Sequence, residues 1–219
     1  MNYIAVIGDL IDSKKMPNRP QVQVELEKVL SQVNRDFQEH FASPFTITRG
    51  DEFQALFYQT APIFQILDRI EKAFDQTIFI RFGIGFGVIL TDINPKQSIG
   101  ADGPAYWEAR KAIEFVHDND DYGTTQLAFS AENSTLKLTV NALLASADFI
   151  KASWTKSQRE ILYHLLAENI YEEQFRQKEI AQALNISTSA LTKRIKASGL
   201  KLYLRNRSAA MNAIRKEQP

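Results

Sequence analysis

The chain has 219 residues, no cysteine, and 26 basic residues balanced by 26 acidic ones. The lack of cysteine excludes disulfides and thiolate metal sites and makes a reducing compartment the simplest home. Apolar residues make up 44% of the chain, yet none of its runs approaches the about 18 needed to cross a bilayer, so the sequence reads as a soluble, cytoplasmic globular protein with no membrane partner.

The neutral total conceals a division. Residues 1–150 hold 13 Lys/Arg against 20 Asp/Glu, whereas residues 151–219 hold 13 against 6. Two bodies with opposite partners explain this more simply than one. The opening MNYIAVIGD has no basic lead and reads as a strand, Tyr3–Gly8, rather than a signal peptide. Pro17 and Pro20 mark a loop before a helical pattern from Gln21 to about Phe41, with Val24, Leu26, Val29, Leu30, Val33 and Phe37 on its apolar side. Phe45–Arg49 and Phe53–Tyr58 read as a hairpin closed at Gly50-Asp51. A helix over Ala61–Phe74 follows, then a long strand, Ile78–Leu90. Glycines 83, 85 and 87 leave one face of that strand bare, so another element packs closely there. Ser98–Pro104 is a Gly/Asp loop before a helix over about Ala105–His117, and Gln126–Phe129 is a further strand. The order predicts an α+β fold, a ferredoxin-like antiparallel sheet with helices on one face, over residues 1–138. Residues 139–155 read as a helical connector carrying Leu143, Leu144, Phe149 and Ile150, and 156–219 as an all-α domain opened by a helix over Lys156–Ala167.

Within that second part, Lys178–Ser198 has the pattern of a helix-turn-helix. Ile180, Ala181 and Leu184 face inward, Asn185 suits a left-handed turn, Ile186 plugs the corner, and Leu191 and Ile195 return to the core. Ser187 or Ser189 caps the second helix. Its outward residues are Thr188, Ser189, Thr192, Lys193 and Lys196, short hydroxyls and cations that suit a major groove. Ile180 to Lys216 contains no acidic residue, against eight basic ones, a charge pattern expected of phosphate contact. A surface helical hairpin is the plainer alternative. Because one such unit reads half a site, a homodimer on DNA is expected.

In the first part, Asp9 ends the first strand and Asp12 follows it, while Asp51 and Glu52 stand in the hairpin turn. The fold drawn above brings these carboxylates to one sheet edge. They repel unless a cation sits between them, and oxygen ligands suit Mg²⁺ or Mn²⁺. Ser13 with Lys14 and Lys15 can receive phosphate oxygens beside it. The plainer reading has Asp12-Ser13 capping a helix and Asp51 satisfying a turn. His40, His117 and His164 lack partner spacing, and GIGFG lies within a strand, so neither marks a metal or dinucleotide site.

The blocks GDLIDSK (8–14), RGDEFQ (49–54), IRFGIGFGVILT (80–91) and IGADGPAYWEARKAI (99–113) together resemble the SatD family, over nearly the whole chain. They are more distantly similar to class III nucleotidyl cyclases and GGDEF domains. That resemblance implies that Asp9 and Asp51 match two metal-binding aspartates, Glu52 the adjacent acid, and Arg110 an arginine of the cyclase helix. It also implies a nucleotide, a nucleoside triphosphate or a relative, contacting Asp12, Ser13, Lys14, Arg49 and Arg110. Cyclase sites are built across dimers. Two departures stand out: Arg49 replaces the first glycine of the GGDEF signature, and Tyr106 replaces a cyclase asparagine. Both weigh against cyclisation and leave binding open. The expected function is therefore a DNA-binding transcriptional regulator that senses nucleotide or metal; the alternative is a metal-dependent nucleotidyl-transfer enzyme with a DNA-binding tail.

Overall fold

The computed structural model describes residues 1–13, 16, 18–74, 78–119 and 125–217. The described elements run β1 (Tyr3–Leu10), α1 (Arg19–Asp36), β2 (Phe41–Arg49), β3 (Glu52–Tyr58), α2 (Ile63–Phe74), β4 (Ile80–Gly87), α3 (Pro104–Asn119), β5 (Leu127–Ala131), α4 (Ser134–Ala152), α5 (Lys156–Ala167), α6 (Gln177–Ala183), α7 (Thr188–Ser198) and α8 (Leu200–Lys216). The strands form one sheet in the order β2-β3-β1-β4-β5.

Period-two alternation divides the sheet's side chains between two layers. One face presents Ile4 and Val6 of β1, Phe53 and Phe57 of β3, and Phe82 and Ile84 of β4 to α1, α2 and α4. The other presents Ala5, Ile7 and Leu56 to Ala105, Ala109 and Ile113 of α3. The bare glycine face of β4 is what admits α3. A Cβ on Gly85 would lie 2.0 Å from the Ala105 carbonyl oxygen and 2.1 Å from the Ala109 nitrogen.

Two features differ from the expected antiparallel sheet with helices on one face. β5 joins β4 in parallel, and helices cover both faces. The cause is shared: α3 crosses over between β4 and β5, and a strand returning from a crossover helix runs parallel. Smaller differences have local reasons. Pro20 sits inside the first turn of α1, where its missing N–H costs nothing. Val24 is exposed, and Val22 takes its place in the core. A short 3₁₀ turn, Gln38–His40, ends the helical run and lets β2 begin at Phe41. β4 stops at Gly87, after which the Leu90 N–H bonds the Asp102 carbonyl.

A second core gathers Trp154, Ile161, Leu165, Ile180, Leu191 and Tyr203 from the helical half. The stretch read as a connector is helical as far as Ala152, but it is not free-standing. Val140 and Leu144 belong to the sheet's core and Ala147 to the second one, while Phe149 is 71% exposed. α8 was not anticipated as an element. Leu200, Tyr203 and Leu204 pack in the second core, whereas Ala210, Met211 and Ile214 pack in the first. Both α4 and α8 therefore contribute to both cores. Among the described residues no helix is long and apolar enough to cross a membrane.

Candidate functional site

β1, β3 and β4 lie side by side at the centre of the sheet, and their register sets Asp9 opposite Glu52 on one side and opposite Arg81 on the other. Asp9 follows Ile7 by two residues, so it shares the face that α3 covers. Arg81 donates from Nη2 to Asp9 Oδ2 at 2.5 Å. Arg110, carried by α3, forks onto Glu52 with Nη1–Oε2 at 2.6 Å and Nη2–Oε1 at 2.8 Å, the bidentate form that fixes both planes.

The hairpin tip carries Asp51 to the same edge. Gly50 adopts φ +68°, the left-handed conformation the tight turn requires. The tip is held by α1: Gln23 donates to the Gly50 carbonyl at 3.2 Å, and Arg19 Nη2 lies 3.9 Å from Asp51. Ser13, buried after β1, donates its hydroxyl hydrogen to Asp51 Oδ2. Burial pushes the Asp9 carboxyl above its usual range; Arg81 opposes that, and nearby Asp51 adds to it. Glu52 moves the other way, held below the usual range by its hydrogen bonds to Arg110.

The structure thus brings together Asp9, Asp51 and Ser13, with Glu52 and Arg110 beside them as a closed pair. Asp12 is exposed, in a left-handed conformation with φ 56°. Arg49 is exposed at the end of β2, opposite Glu52. Lys14 lies outside the described residues. Among the described residues, no three His, Asp or Glu side chains converge as a set able to hold a metal ion. Asp9 and Asp51 are the neighbouring carboxylates of the set, and both Glu52 oxygens are taken by Arg110.

Sequence reasoning passed over Arg81 and Arg19 as site residues. Arg81 is a lone charge in an apolar strand, and that strand's pairing with β1 is the signal that would have found it. A cleft of about 400 Å³ also opens beside Arg110, bounded by Ile7, Gln54, Ala101, Tyr106 and Trp107. Tyr106 shares a hydrogen bond with Ser98 Oγ, Gln54 donates to the Ser98 carbonyl at 2.5 Å, and Trp107 donates to Asp102 at 2.7 Å. Trp107 remains about half exposed at the rim.

In the helical half, α6 and α7 are joined through Asn185, whose φ of 53° is the left-handed turn expected there. Ser187, rather than Ser189, caps α7 by accepting from the Ala190 N–H. Ser189, Thr192, Lys193 and Lys196 line one open hollow on α7, and Thr188 is exposed at its start. Thr192 is more restrained than the others: its hydroxyl lies 2.9 Å from both Gln177 Oε1 and the Thr188 carbonyl. The basic run does not form one face. On α8, Arg207 is buried against Asp148 and Arg205 pairs with Glu173; on α7, Lys193 and Lys196 are exposed and Arg194 is half-buried.

Residues 3–214 match the SatD family. No curated protein matches the chain. Among solved structures, a bacterial light-regulated adenylyl cyclase is similar at 14% identity and a TM-score of 0.43, over 58% of this chain and 74% of that one. The non-canonical dimeric guanylyl cyclase domain of the RhoGC fusion protein from the aquatic fungus Blastocladiella emersonii is similar at 14% identity and 0.38, over 51% and 72%. The guanylate cyclase domain of RhGC from Catenaria anguillulae in complex with GTP is similar at 17% and 0.35, over 51% and 71%.

Proposed function

The chain belongs to the SatD family, and on that premise we propose that it is a cytoplasmic DNA-binding regulator whose sheet end takes a nucleotide with Mg²⁺ or Mn²⁺. The observation that carries the reading is the juxtaposition of Asp9 and Asp51 on adjoining strand ends, next to a cleft walled by Tyr106, Trp107, Gln54 and Arg110. Two neighbouring carboxylates favour a divalent cation, and an aromatic wall with amide and guanidinium donors suits a base and its phosphates. Asp9 and Asp51 would hold the metal. Arg81 orients Asp9, and Glu52 acts through Arg110 rather than as a ligand. Ser13, which donates to Asp51, would be the described residue nearest the phosphates, and Asp12, Lys14 and Arg49 are further contacts that the nucleotide reading assigns. When bound, the metal would supply charge compensation for those phosphates.

The DNA-binding part rests on α7. Thr188 and Ser189 at its N-terminal end would meet base edges, and Lys193 and Lys196 phosphates, with Thr192 tied to Gln177. A homodimer would present two such helices to two half-sites.

The test uses the full chain. Calorimetric titration with Mn²⁺ and nucleoside triphosphates is expected to show binding in the wild type and none in the Asp9→Asn/Asp51→Asn double variant at unchanged fold. Gel shifts on duplex DNA are expected to show affinity that falls as salt rises. Equal Mn²⁺ affinity in the double variant would overturn the metal site, and absence of any salt-dependent DNA affinity would overturn the regulator.

A further inference from the structure

A second concavity, about 250 Å³ in volume, lies between the first turn of α2 and the C-terminal half of α8. No acidic side chain lines it. Three independent features converge on its chemistry.

The first is Arg207, 3% exposed and one of the walls. Its Nη2 donates to Asp148 at 2.6 Å. Its guanidinium carbon lies 5.4 Å from the centre of the Phe64 ring and 5.1 Å from that of Tyr203. Its Nε and Nη1 are buried and have no acceptor among the described residues. Buried donors are almost always satisfied, by protein, water or ligand. The second is the start of α2. The N–H groups of Phe64 and Gln65 belong to the first turn, where no intrahelical acceptor exists and the helix dipole is positive. The third is the set of polar side chains that line it beside Pro62, Tyr171 and Met211: the Gln65 and Asn212 amides, the Ser208 hydroxyl, and the Arg215 guanidinium, which already donates to the Thr60 carbonyl at 2.7 Å. Two cations, a helix N-terminus and neutral donors around one hollow form a receptor for negative charge.

We infer that this hollow binds a tetrahedral oxyanion, a phosphate group either free or carried on a small ester. Asp148 and the nearby Asp68 already act on the Arg207 charge, so the anion would supply acceptors rather than the missing half of an ion pair, and it would bridge α2 to α8. Because α8 contributes to both cores, the bound phosphate would also strengthen the seating of the helical half on the sheet. The inference does not depend on the Asp9–Asp51 site.

The experiment titrates the full chain with inorganic phosphate, and separately with glycerol 3-phosphate, at constant ionic strength maintained with chloride. Uptake is followed by calorimetry and by thermal melting. One site is expected, with a rise in melting temperature. Arg215→Gln and Asn212→Leu change residues at the exposed rim, so their folding can be checked by an unchanged melt in chloride. Arg215→Gln is expected to weaken phosphate binding about tenfold, whereas Lys28→Gln, an exposed cation on α1, is expected to leave it unaltered. Tighter binding of the ester identifies a carried phosphate, and equal or weaker binding identifies the free anion. No uptake of either, or uptake unaffected by Arg215→Gln and Asn212→Leu, overturns the proposal.

Discussion

Glu52 and Arg110 were both expected to touch ligand, and in the structure each satisfies the other. The pair is part-exposed, with Arg110 at 43% and Glu52 at 26% of side-chain surface, so solvent screens it and its worth is about 1 kcal/mol. Its pH dependence has a definite sign. Arg110 lowers the Glu52 carboxyl in the folded chain. The pair therefore contributes above the ordinary Glu value of 4.5, and that contribution disappears as pH falls through the lower folded value. Urea unfolding of Arg110→Gln against wild type should show the difference at pH 7 and a shrinking one in acid. On α7, Lys193→Ala and Lys196→Ala should each weaken DNA binding at all sequences and lower the salt slope by about 1, whereas Thr188→Ala or Ser189→Ala should relax sequence preference. Gel shifts over a salt series distinguish the two outcomes. The residue types at both sites were legible because strand ends and hairpin turns place carboxylates predictably. What escaped was pairing: whether Asp9 meets Arg81 depends on register between strands 72 residues apart, which local pattern does not encode.

At the scale of elements, the glycine face of β4 is the clearest case of sequence dictating packing. Gly83, Gly85 and Gly87 fall at every second position, and α3 seats on them closely enough to touch backbone. Gly85→Ala should cost about 3 kcal/mol or more, because the added carbon meets the main chain of α3 rather than a side chain that can move. Denaturant unfolding measures this directly. The parallel entry of β5 was less legible, since a strand of five residues carries no sign of its direction. In α8 a charge run masks the helical pattern: Lys and Arg residues stand between Leu200, Tyr203, Leu204, Arg207, Ala210, Met211 and Ile214, which repeat at helical spacing and are all buried. The charge reading treated Arg207 as surface, although it lies in the interior.

At the scale of the whole molecule, the two cores meet over a buried charged seam. Asp68 of α2 accepts from Lys151 at 2.8 Å, from Tyr171 at 2.6 Å and from Tyr203 at 2.5 Å. Burial opposes its ionisation, but Lys151 and Arg207 hold the carboxyl down to about 2. Its stabilising contribution is therefore full above the ordinary 3.8 and is lost as pH falls toward 2. Asp68→Asn removes the charged acceptor that Tyr171, Tyr203 and Lys151 share, leaving Glu71 as the carboxylate partner of Lys151, and should cost about 1–3 kcal/mol, read as a lowered unfolding midpoint that melts both halves together. With this seam, and with α4 and α8 packed in both cores, the two halves are joined by packed side chains rather than by a free linker.

Such a connection has a thermodynamic consequence. If nucleotide at the Asp9–Asp51 site changes the affinity of α7 for DNA, DNA must change nucleotide affinity by the same factor. The decisive measurement is DNA affinity of the full chain with and without Mg²⁺-nucleotide, paired with nucleotide affinity with and without DNA. Equal factors are expected in the two directions, both abolished by Asp51→Asn. DNA affinity that is the same whether or not nucleotide and metal are bound would contradict that coupling, leaving the sheet end as a site unconnected to the helical half.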